Sequence, residues 1–467
     1  MSVATQSKGK SVKRTRTLVA VLAASGLAVS LAACSSSGGT DSSTKAAAAS
    51  KPANCANKII DKDAPEVTLW SWSPTAQVAV DEFNNAHTDV QICWTNAGAG
   101  SAEYDKFSTA IAAKKGAPDV VMLETEQLPS FEIKGALVDL TKYGANKVKN
   151  DFSAGTLKDI SNGAGKGIYA IPDDGGPVAM MYNKDVFDKY GLSVPTTWDE
   201  YAAQAQKLKD AGGPAMGDWP SDTPAFAQAM FNQAAGSGKQ TFAYSLADKQ
   251  NLGLDINSAA NKKVLSYWTD LVDKKLVSTI GQQTTDFTSA LAKGQLATFI
   301  AASWEPGHLL NAGIPTGADA PWRVAMLPQW DADKPVQVNW GGSTYAVTAQ
   351  SAQPKLAAEV AIGLFGDENP KTIGAHFPMH LKAQKADWFV NATDPFFGGQ
   401  AANKEVWIPA AKGYEGTVYS PFQNYYYTQL TSLLTKTSGG NAKPADALDG
   451  LQKTITNYAK SQGFTVK

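Results

Sequence analysis

The chain has 467 residues, which is longer than a single domain with one hydrophobic core usually is. Of these residues 43% are hydrophobic and 18% are charged, and this composition excludes a disordered chain and a coiled coil. The formal net charge of −1 argues against non-specific binding to nucleic acid. The chain has only 4 His and 3 Cys, which are few residues from which to build a zinc or iron–sulfur site, so we expect neither a metal nor a cofactor.

The first residues have the pattern of an export signal. A basic start precedes an apolar run at 18–31, which is too short to span a membrane and ends in Leu31-Ala32-Ala33-Cys34. This segment resembles the lipobox of bacterial lipoproteins, which implies a signal peptide at 1–33 and a lipid such as palmitate on Cys34. The protein is then expected at the outer face of the bacterial cell membrane. An ordinary secretory signal with an incidental cysteine is the alternative.

A tether and a disulfide are predicted next. Residues 35–54 are rich in Ser, Gly, Ala and Thr and contain no large apolar side chain, so we expect residues 34–61 to be the lipidated cysteine and a flexible tether. The remaining cysteines, Cys55 and Cys93, form an even pair in an exported chain. This favours a disulfide between them, with two free thiols as the alternative.

Strands and helices alternate through the first part of the exported chain. Apolar stretches at 66–72, 90–94 and 119–123 predict strands, and Ser73-Pro74 and the spacing of Tyr104, Phe107 and Ile111 predict helices between them. Such alternation predicts an α/β layer with a parallel sheet.

A second α/β segment begins near Gly176. Strands are predicted at 177–182, 296–301, 323–327 and 343–348. Thr197 and Glu200 form a capping box for a helix that ends near residue 211, and Pro354 starts another helix. We expect the last hundred residues to be mainly helical.

Three stretches are informative together and in this order. They are GIYAIP at 167–172 with MYNK at 181–184 and PTTW at 195–198, FTSALAKGQLATFIAASW at 287–304, and VAMLP at 324–328 with the later Gly341-Gly342. In combination they resemble the extracellular solute-binding proteins of ABC importers, in the sugar-binding, maltose-binding-protein-like group. The resemblance covers roughly residues 64–370, and the final hundred residues fit by length and helicity only.

The resemblance implies an α/β, two-lobe periplasmic-binding-protein-like fold with an inter-lobe cleft and hinge crossovers. Lobe 1 would comprise residues 62–174 plus 338–368, lobe 2 residues 175–331 plus 369–467, with a crossover at 332–337. The implied function is capture of a carbohydrate, in particular an oligosaccharide, and its delivery to the permease subunits of an ABC transporter. A monomer without enzymatic activity is expected.

The ends of the strands select the candidate ligand residues, because sites in open α/β sheets lie beyond the carboxyl ends of the strands. Flat aromatic rings suit sugar faces, and charged groups suit sugar hydroxyls. By resemblance, Trp304 occupies the place of a sugar-stacking tryptophan. The candidates are Trp72, Glu124, Asp173, Asp174, Trp219, Trp304, Glu305, Trp340, Gly341, Gly342 and Tyr425.

Structural alternatives remain open for these residues. Glu124 would otherwise be a helix cap or surface acid, residues 173–176 a polar hinge turn, and Trp304 a core residue. Two other functions also remain. A secreted glycoside hydrolase would pair Glu124 with Asp173 or Asp174, and a ferric-ion or polyamine binder of similar fold would use the adjacent tyrosines at 425–427.

Overall fold

A computed structural model describes residues 55–73, 76–161, 167–236, 240–243, 250–310, 312–365 and 377–467. The predicted signal peptide, Cys34, most of the predicted tether and the predicted lobe junction at 368–369 lie outside these residues. None of the helices in this part of the chain combines the length and the apolar character that a membrane crossing requires.

The strands are β1 (Glu66–Trp70), β2 (Gln91–Thr95), β3 (Val120–Glu124), β4 (Ile171–Pro172), β5 (Val178–Asn183), β6 (Phe242–Ala243), β7 (Asn251–Leu254), β8 (Thr298–Ala302), β9 (Trp322–Met326), β10 (Ser343–Val347) and β11 (Thr465–Val466). The helices are α1 (Ala76–Ala86), α2 (Ser101–Ala113), α3 (Leu128–Glu132), α4 (Ala154–Ile160), α5 (Lys184–Tyr190), α6 (Trp198–Asp210), α7 (Pro224–Ala235), α8 (Ala259–Asp273), α9 (Thr285–Ala292), α10 (Glu305–Leu309), α11 (Pro354–Phe365), α12 (Asp387–Val390), α13 (Ile408–Lys412), α14 (Gln423–Ser438) and α15 (Pro444–Ser461).

The first sheet is mixed, with the strand order β2-β1-β3-β10-β4. β1 pairs in parallel with β2 and β3, as the strand–helix alternation predicts. β10 runs antiparallel to both β3 and β4, so the sheet is parallel over the three strands for which the alternation predicts it and antiparallel at this edge. The reason is topological, because the chain enters β10 from the second sheet rather than through a crossover helix on the first.

The second sheet, β8-β5-β9, is antiparallel throughout. Residues 178–181 of β5 are fully buried. Val178 pairs with Ala302 of β8, and Ala179 pairs with Met326 of β9. The start of β5 therefore lies beside the ends of β8 and β9, which brings the residues that follow β8 next to those that precede β5.

Three chain segments run side by side between the two sheets, at 172–178, 338–343 and 377–379, and we call them the hinge ribbon. The Trp340 N–H donates to the Gly176 carbonyl at 2.8 Å, and the Asp173 N–H donates to the Ser343 carbonyl at 2.9 Å. The third segment joins through the Gly175 N–H, which donates to the Phe377 carbonyl at 2.8 Å.

Two local predictions are confirmed. Thr197 and Glu200 form the capping box of α6, in which each side chain accepts a hydrogen bond from the backbone N–H of the other residue. A disulfide joins Cys55 to Cys93 and ties the segment before β1 to β2. The C-terminal part is helical as expected: α14 packs against α7 and α15 against α8.

Candidate functional site

A tryptophan near the carboxyl end of β1 and a glutamate at the end of β3 both contact the same tyrosine, Tyr104. Tyr104 of α2 donates its hydroxyl to Glu124 Oε2 at 2.7 Å, and the Trp72 ring meets the Tyr104 ring edge-on at 5.7 Å between centroids. Burial raises the pKa of the Glu124 carboxyl, and the charge of Asp174 raises it further, whereas the Tyr104 hydrogen bond opposes the rise. Trp72, which is partly exposed, and Glu124 thus lie at one edge of the first sheet, as predicted.

Glu126 is a further acid at this edge that our reading of the sequence missed. Tyr427 of α14 donates its hydroxyl to Glu126 Oε2 at 2.9 Å, which links the end of β3 to the C-terminal helices. Burial, and next the charge of Glu124, raises the pKa of Glu126 to about 8. The two acids separated by one residue directly after a buried strand were the signal that could have identified it.

Of the three consecutive tyrosines, Tyr427 rather than Tyr425 reaches the site. Tyr425 stacks on Tyr458 of α15, with 3.8 Å between ring centroids and 16° between planes, and Tyr426 is fully buried. The prediction that Tyr425 lines the site is therefore wrong, and Tyr427 takes that place. Consecutive residues of a helix point about 100° apart, so Tyr425 faces α15 whereas Tyr427 contacts Glu126.

Asp173 and Asp174 lie in the hinge ribbon, but they differ in their contacts. The Asp174 side chain accepts a hydrogen bond from the Ser343 N–H at 2.6 Å and so helps to hold the ribbon together. The Asp173 side chain is 7% exposed, and its Oδ1 has no hydrogen-bond partner among the described residues. Burial, and next the charge of Asp174, raises the pKa of Asp173 well above its ordinary value.

Trp304 follows β8 and lies against the hinge ribbon. Its Nε1 donates to the Trp340 carbonyl at 3.0 Å, and its ring remains partly exposed. A Cβ at Gly176 would lie 1.9 Å from the Trp340 carbonyl oxygen and 3.0 Å from Trp304 Nε1, so this crossing requires glycine. Gly341 has φ of 70°, and a Cβ there would lie 3.4 Å from Trp304 Nε1.

The residues around Trp304 complete this side of the site. Trp340 is only 7% exposed and meets Trp304 edge-on at 5.2 Å, so it supports the Trp304 ring more than it offers a surface. The Gly342 carbonyl accepts the Thr125 N–H at 2.9 Å, which ties the ribbon to the end of β3. Glu305 is 5% exposed, and burial raises its pKa to about 8.

The selection of Trp219 as an exposed aromatic is wrong. Trp219 is fully buried and stacks on Trp268 of α8, with 5.0 Å between ring centroids and 8° between planes. The loop around it is not free, because the Trp219 N–H donates to the Ser278 carbonyl at 2.8 Å. The neighbouring Asp218, which was not selected, is 3% exposed, and burial raises its pKa well above the ordinary value, with the charges of Asp222 and Glu305 contributing.

A small cavity of about 10 Å³ adjoins the hinge ribbon on the side of α4 and the β3 end. Its walls combine carboxylates, hydroxyls, one amide and glycine backbone. They are formed by Thr125, Thr156, Asp159, Ile160, Pro172, Asp174, Gly175, Asn339, Gly341, Gly342 and Met379.

Together these groups form what we call the hinge site. Carboxyl groups at the end of the first sheet and in the ribbon can form hydrogen bonds, and a partly exposed indole held by its own N–H can cover an apolar face. This arrangement needs no bond making or breaking. It comprises Trp72, Glu124, Glu126, Asp173, Asp174, Trp304, Glu305, Trp340, Gly341 and Gly342, with Tyr104 and Tyr427 as supports.

Comparison with known proteins agrees with this geometry. The family model described as bacterial extracellular solute-binding protein matches residues 70–369. The arabinooligosaccharide-binding protein of Bacillus subtilis (strain 168) is 26% identical over 318 residues, which are 65% of this chain and 70% of that protein.

Solved structures show the same fold. The ABC transporter associated binding protein from B. animalis subsp. lactis Bl-04, in complex with β-1,6-galactobiose, is 28% identical with a TM-score of 0.73 over 87% of this chain and 100% of that one. The galacto-N-biose-/lacto-N-biose I-binding protein from Bifidobacterium longum, in complex with lacto-N-biose, is 25% identical with a TM-score of 0.73 over the same shares. The fold is thus the two-lobe architecture of periplasmic solute-binding proteins.

Proposed function

The chain belongs to the bacterial extracellular solute-binding proteins, and we propose that it captures a carbohydrate, in particular an oligosaccharide, and delivers it to the permease subunits of an ABC transporter. The hinge site, between the two lobes, receives the sugar. The named ligands of the relatives support this class of ligand, since they are an arabinooligosaccharide and two disaccharides.

One observation carries the proposal. Trp304 follows the second sheet and lies against the hinge ribbon, where its N–H is fixed by the Trp340 carbonyl and the residue stays partly exposed. Glu124 and Glu126 lie at the end of β3, which the hydrogen bond from Thr125 N–H to the Gly342 carbonyl ties to the same ribbon. A sugar has weakly polar C–H faces and many hydroxyls. A fixed indole suits the faces, and carboxyl groups suit the hydroxyls.

The test is thermal unfolding of the full chain against a panel of mono- and oligosaccharides, with spermidine and ferric citrate as controls. A ligand at a hundredfold excess over its Kd stabilises the folded protein by about 2.7 kcal/mol. We expect a shift for one class of sugars and none for the controls. Trp304→Ala should abolish that shift, whereas Trp388→Ala, which alters a tryptophan that is 40% exposed and packs on Phe389, should keep it.

A protein of this kind leaves its sugar unchanged, and we propose that it is not an enzyme. The sugar that gives the thermal shift should be recovered intact after prolonged incubation, as chromatography of the mixture would show. Release of shorter sugars that depends on Glu124 would instead establish a glycoside hydrolase.

We further propose that the protein acts as a monomer anchored by lipid on Cys34 to the outer face of the cell membrane. The support is the sequence, in which a basic start and a short apolar run lead directly to Leu31-Ala32-Ala33-Cys34. Cells that express the full chain should incorporate a palmitate analogue into it, and Cys34→Ser should prevent incorporation. Release of the unmodified wild-type protein into the medium would contradict the anchor.

A further inference from the structure

Three side chains of the kinds that bind metals lie together at the β2 edge of the first sheet, away from the hinge site. They are Cys55, Cys93 and Glu66, whose sulfur atoms and one carboxylate oxygen all lie within 4.8 Å of one another. In the oxidised chain the two sulfurs are bonded to each other. Glu66 has no share in that bond, and its Oε1 is buried without a hydrogen-bond partner among the described residues. A buried carboxylate oxygen usually has a partner, and the disulfide does not supply one.

The register of the sheet places Glu66 beside Cys93. β1 and β2 run parallel, with Glu66 paired to Gln91 and Thr68 paired to Cys93. Side chains two residues apart on a strand point to the same face, so Glu66 and Cys93 are diagonal neighbours on one face of the sheet. Their proximity follows from the strand pairing and does not depend on the disulfide.

Hydrogen bonds also hold the chain at Cys55 in place independently of its sulfur. The Ala56 N–H donates to the Trp94 carbonyl at 2.8 Å. Asn57 Oδ1 accepts the Trp94 N–H at 2.7 Å, and Asn57 Nδ2 donates to the Ile92 carbonyl at 2.9 Å. The segment after Cys55 is therefore fixed along β2, and we expect the two cysteines to stay side by side when the disulfide is reduced.

Reduction converts this group into a set of zinc ligands. A dithiol transfers two electrons and two protons to the two sulfurs, the S–S bond breaks, and the dithiol becomes a disulfide. Zinc binds thiolate sulfur at about 2.3 Å and carboxylate oxygen at about 2.0–2.2 Å, so the ligand atoms of a tetrahedral site lie about 3.6–3.8 Å apart. The Cα atoms of Cys55 and Cys93 are 5.0 Å apart, so rotation of the two side chains is enough to reach that spacing. Each thiol releases its proton as it binds the metal.

We propose that Cys55, Cys93 and Glu66 bind a zinc ion in the reduced chain, with water in the fourth position, and that the same two cysteines form the disulfide in the oxidised chain. Either state ties the segment that follows the predicted tether to β2. The small count of cysteines does not reveal this site, because Cys55 and Cys93 are 38 residues apart and only the sheet brings them to Glu66. The inference does not depend on the proposed sugar binding.

Metal titration of the full chain tests the site, with Cys34→Ser to remove the third thiol. One sample stays oxidised, and the other is reduced with dithiothreitol, which is removed under argon before zinc is added. We expect about one zinc ion per reduced chain and none per oxidised chain, and zinc should raise the midpoint of thermal unfolding of the reduced chain alone. Cobalt in place of zinc should give thiolate-to-metal charge-transfer absorption, which reports the sulfur ligands directly, and magnesium should not compete.

Variants test each kind of ligand. Glu66→Gln keeps both cysteines and should weaken zinc binding by the reduced chain by about tenfold or more, since even the outer partners of a metal site contribute that much. Cys55→Ser removes one sulfur at a partly exposed position and should abolish the charge-transfer absorption of a two-thiolate site. Asp63→Asn, which neutralises an exposed acid three residues before Glu66, should bind zinc as the wild type does.

Three results would overturn the proposal. The first is a reduced chain that binds no zinc. The second is an equal zinc affinity in Glu66→Gln and the wild type, which would leave the carboxylate without a role. The third is an equal affinity when the reduced chain is unfolded in urea, because the cysteines would then bind zinc without the arrangement that the sheet provides.

Discussion

Two clusters of tryptophans in this protein differ in the exposure of their rings. Trp219 stacks on Trp268, and Trp198 meets Trp268 edge-on at 5.4 Å; each of the three is at most 1% exposed. Trp304 and Trp340 also meet edge-on, but Trp304 keeps part of its ring exposed and donates its N–H to backbone at the hinge ribbon. The first cluster packs inside the hydrophobic core, whereas in the second the Trp304 ring is held in a fixed orientation and stays accessible to solvent.

The position of each tryptophan along the chain explains the difference. Trp304 comes directly after β8, at the edge where the second sheet faces the ribbon, so its place follows from strand direction. Trp219 sits in a loop, and the loop is closed over the core by pairing with the chain at Ser278. A tryptophan at the end of a strand and one in a loop rich in Gly and Pro therefore call for different predictions.

The largest expected effect separates the clusters by stability. Trp219→Ala should lower the free energy of unfolding by about 3–5 kcal/mol, because it opens a cavity among buried rings. Trp304→Ala removes a partly exposed ring and should cost less, about 2 kcal/mol. Urea unfolding of both variants measures this. An equal loss would mean that Trp304 is a core residue after all.

The next prediction concerns the ribbon that supports the second cluster. Gly176→Ala would force a Cβ to 1.9 Å from the Trp340 carbonyl oxygen, so we expect a loss of about 1–3 kcal/mol in the free energy of unfolding and weaker sugar binding. Gly363→Ala is the matched control. Gly363 is an exposed glycine inside α11 with nothing within 4 Å of its added Cβ, and the change should stabilise by up to about 1 kcal/mol. Similar changes in both variants would refute a tight crossing.

The division between packed and available groups extends to the buried acids. Asp159 of α4 is fully satisfied, since the Tyr414 hydroxyl donates to Oδ1 and Oδ2 at 3.0 and 2.9 Å and the Thr417 N–H donates to Oδ1 at 2.6 Å. Asp173 Oδ1, in contrast, has no partner in the described structure. Burial nevertheless raises the pKa of Asp159 to about 7, and the hydrogen bonds from Thr417 and Tyr414, with the charge of Lys158, only partly oppose this.

This pKa gives a pH dependence with a definite sign. Between about pH 4 and pH 7 the unfolded chain has released the Asp159 proton and the folded chain retains it, so stability falls as pH rises, by about 1.4 kcal/mol per pH unit. Above the folded-state pKa this contribution stays constant. Asp159→Asn should remove that part of the dependence of the unfolding free energy on pH, measured by urea unfolding between about pH 5 and 6.5. The control is Asp273→Asn, which alters an exposed acid at the end of α8 and should leave this dependence in place. An unchanged slope in Asp159→Asn would show that Asp159 is ionised in the folded protein.

The sequence allowed most of this architecture to be predicted, for reasons that can be traced to particular residues. Predicted strands at 90–94, 177–182 and 323–327 lie within a residue of β2, β5 and β9, because apolar runs bounded by turn residues report local structure. The direction of β10, the burial of Trp219 and the contact between Tyr427 and Glu126 depend on chain segments far apart in sequence. Local patterns carry no information about such pairings, and no helical period identifies which of three adjacent tyrosines faces a distant loop.

The smallest expected effect tests that last contact. Tyr427→Phe removes a hydroxyl that donates to Glu126 Oε2 at 2.9 Å and leaves the ring in place, so the free energy of unfolding should fall by about 1 kcal/mol. Tyr425→Phe, whose ring keeps its stack on Tyr458, should change it by less than about 0.5 kcal/mol. Loss of the donor also removes a group that lowers the pKa of Glu126, so Tyr427→Phe should keep Glu126 protonated to higher pH, which carboxyl-labelled NMR would detect. If Tyr425→Phe has the larger effect on both readouts, the C-terminal helices contact the site through a different face from the one described.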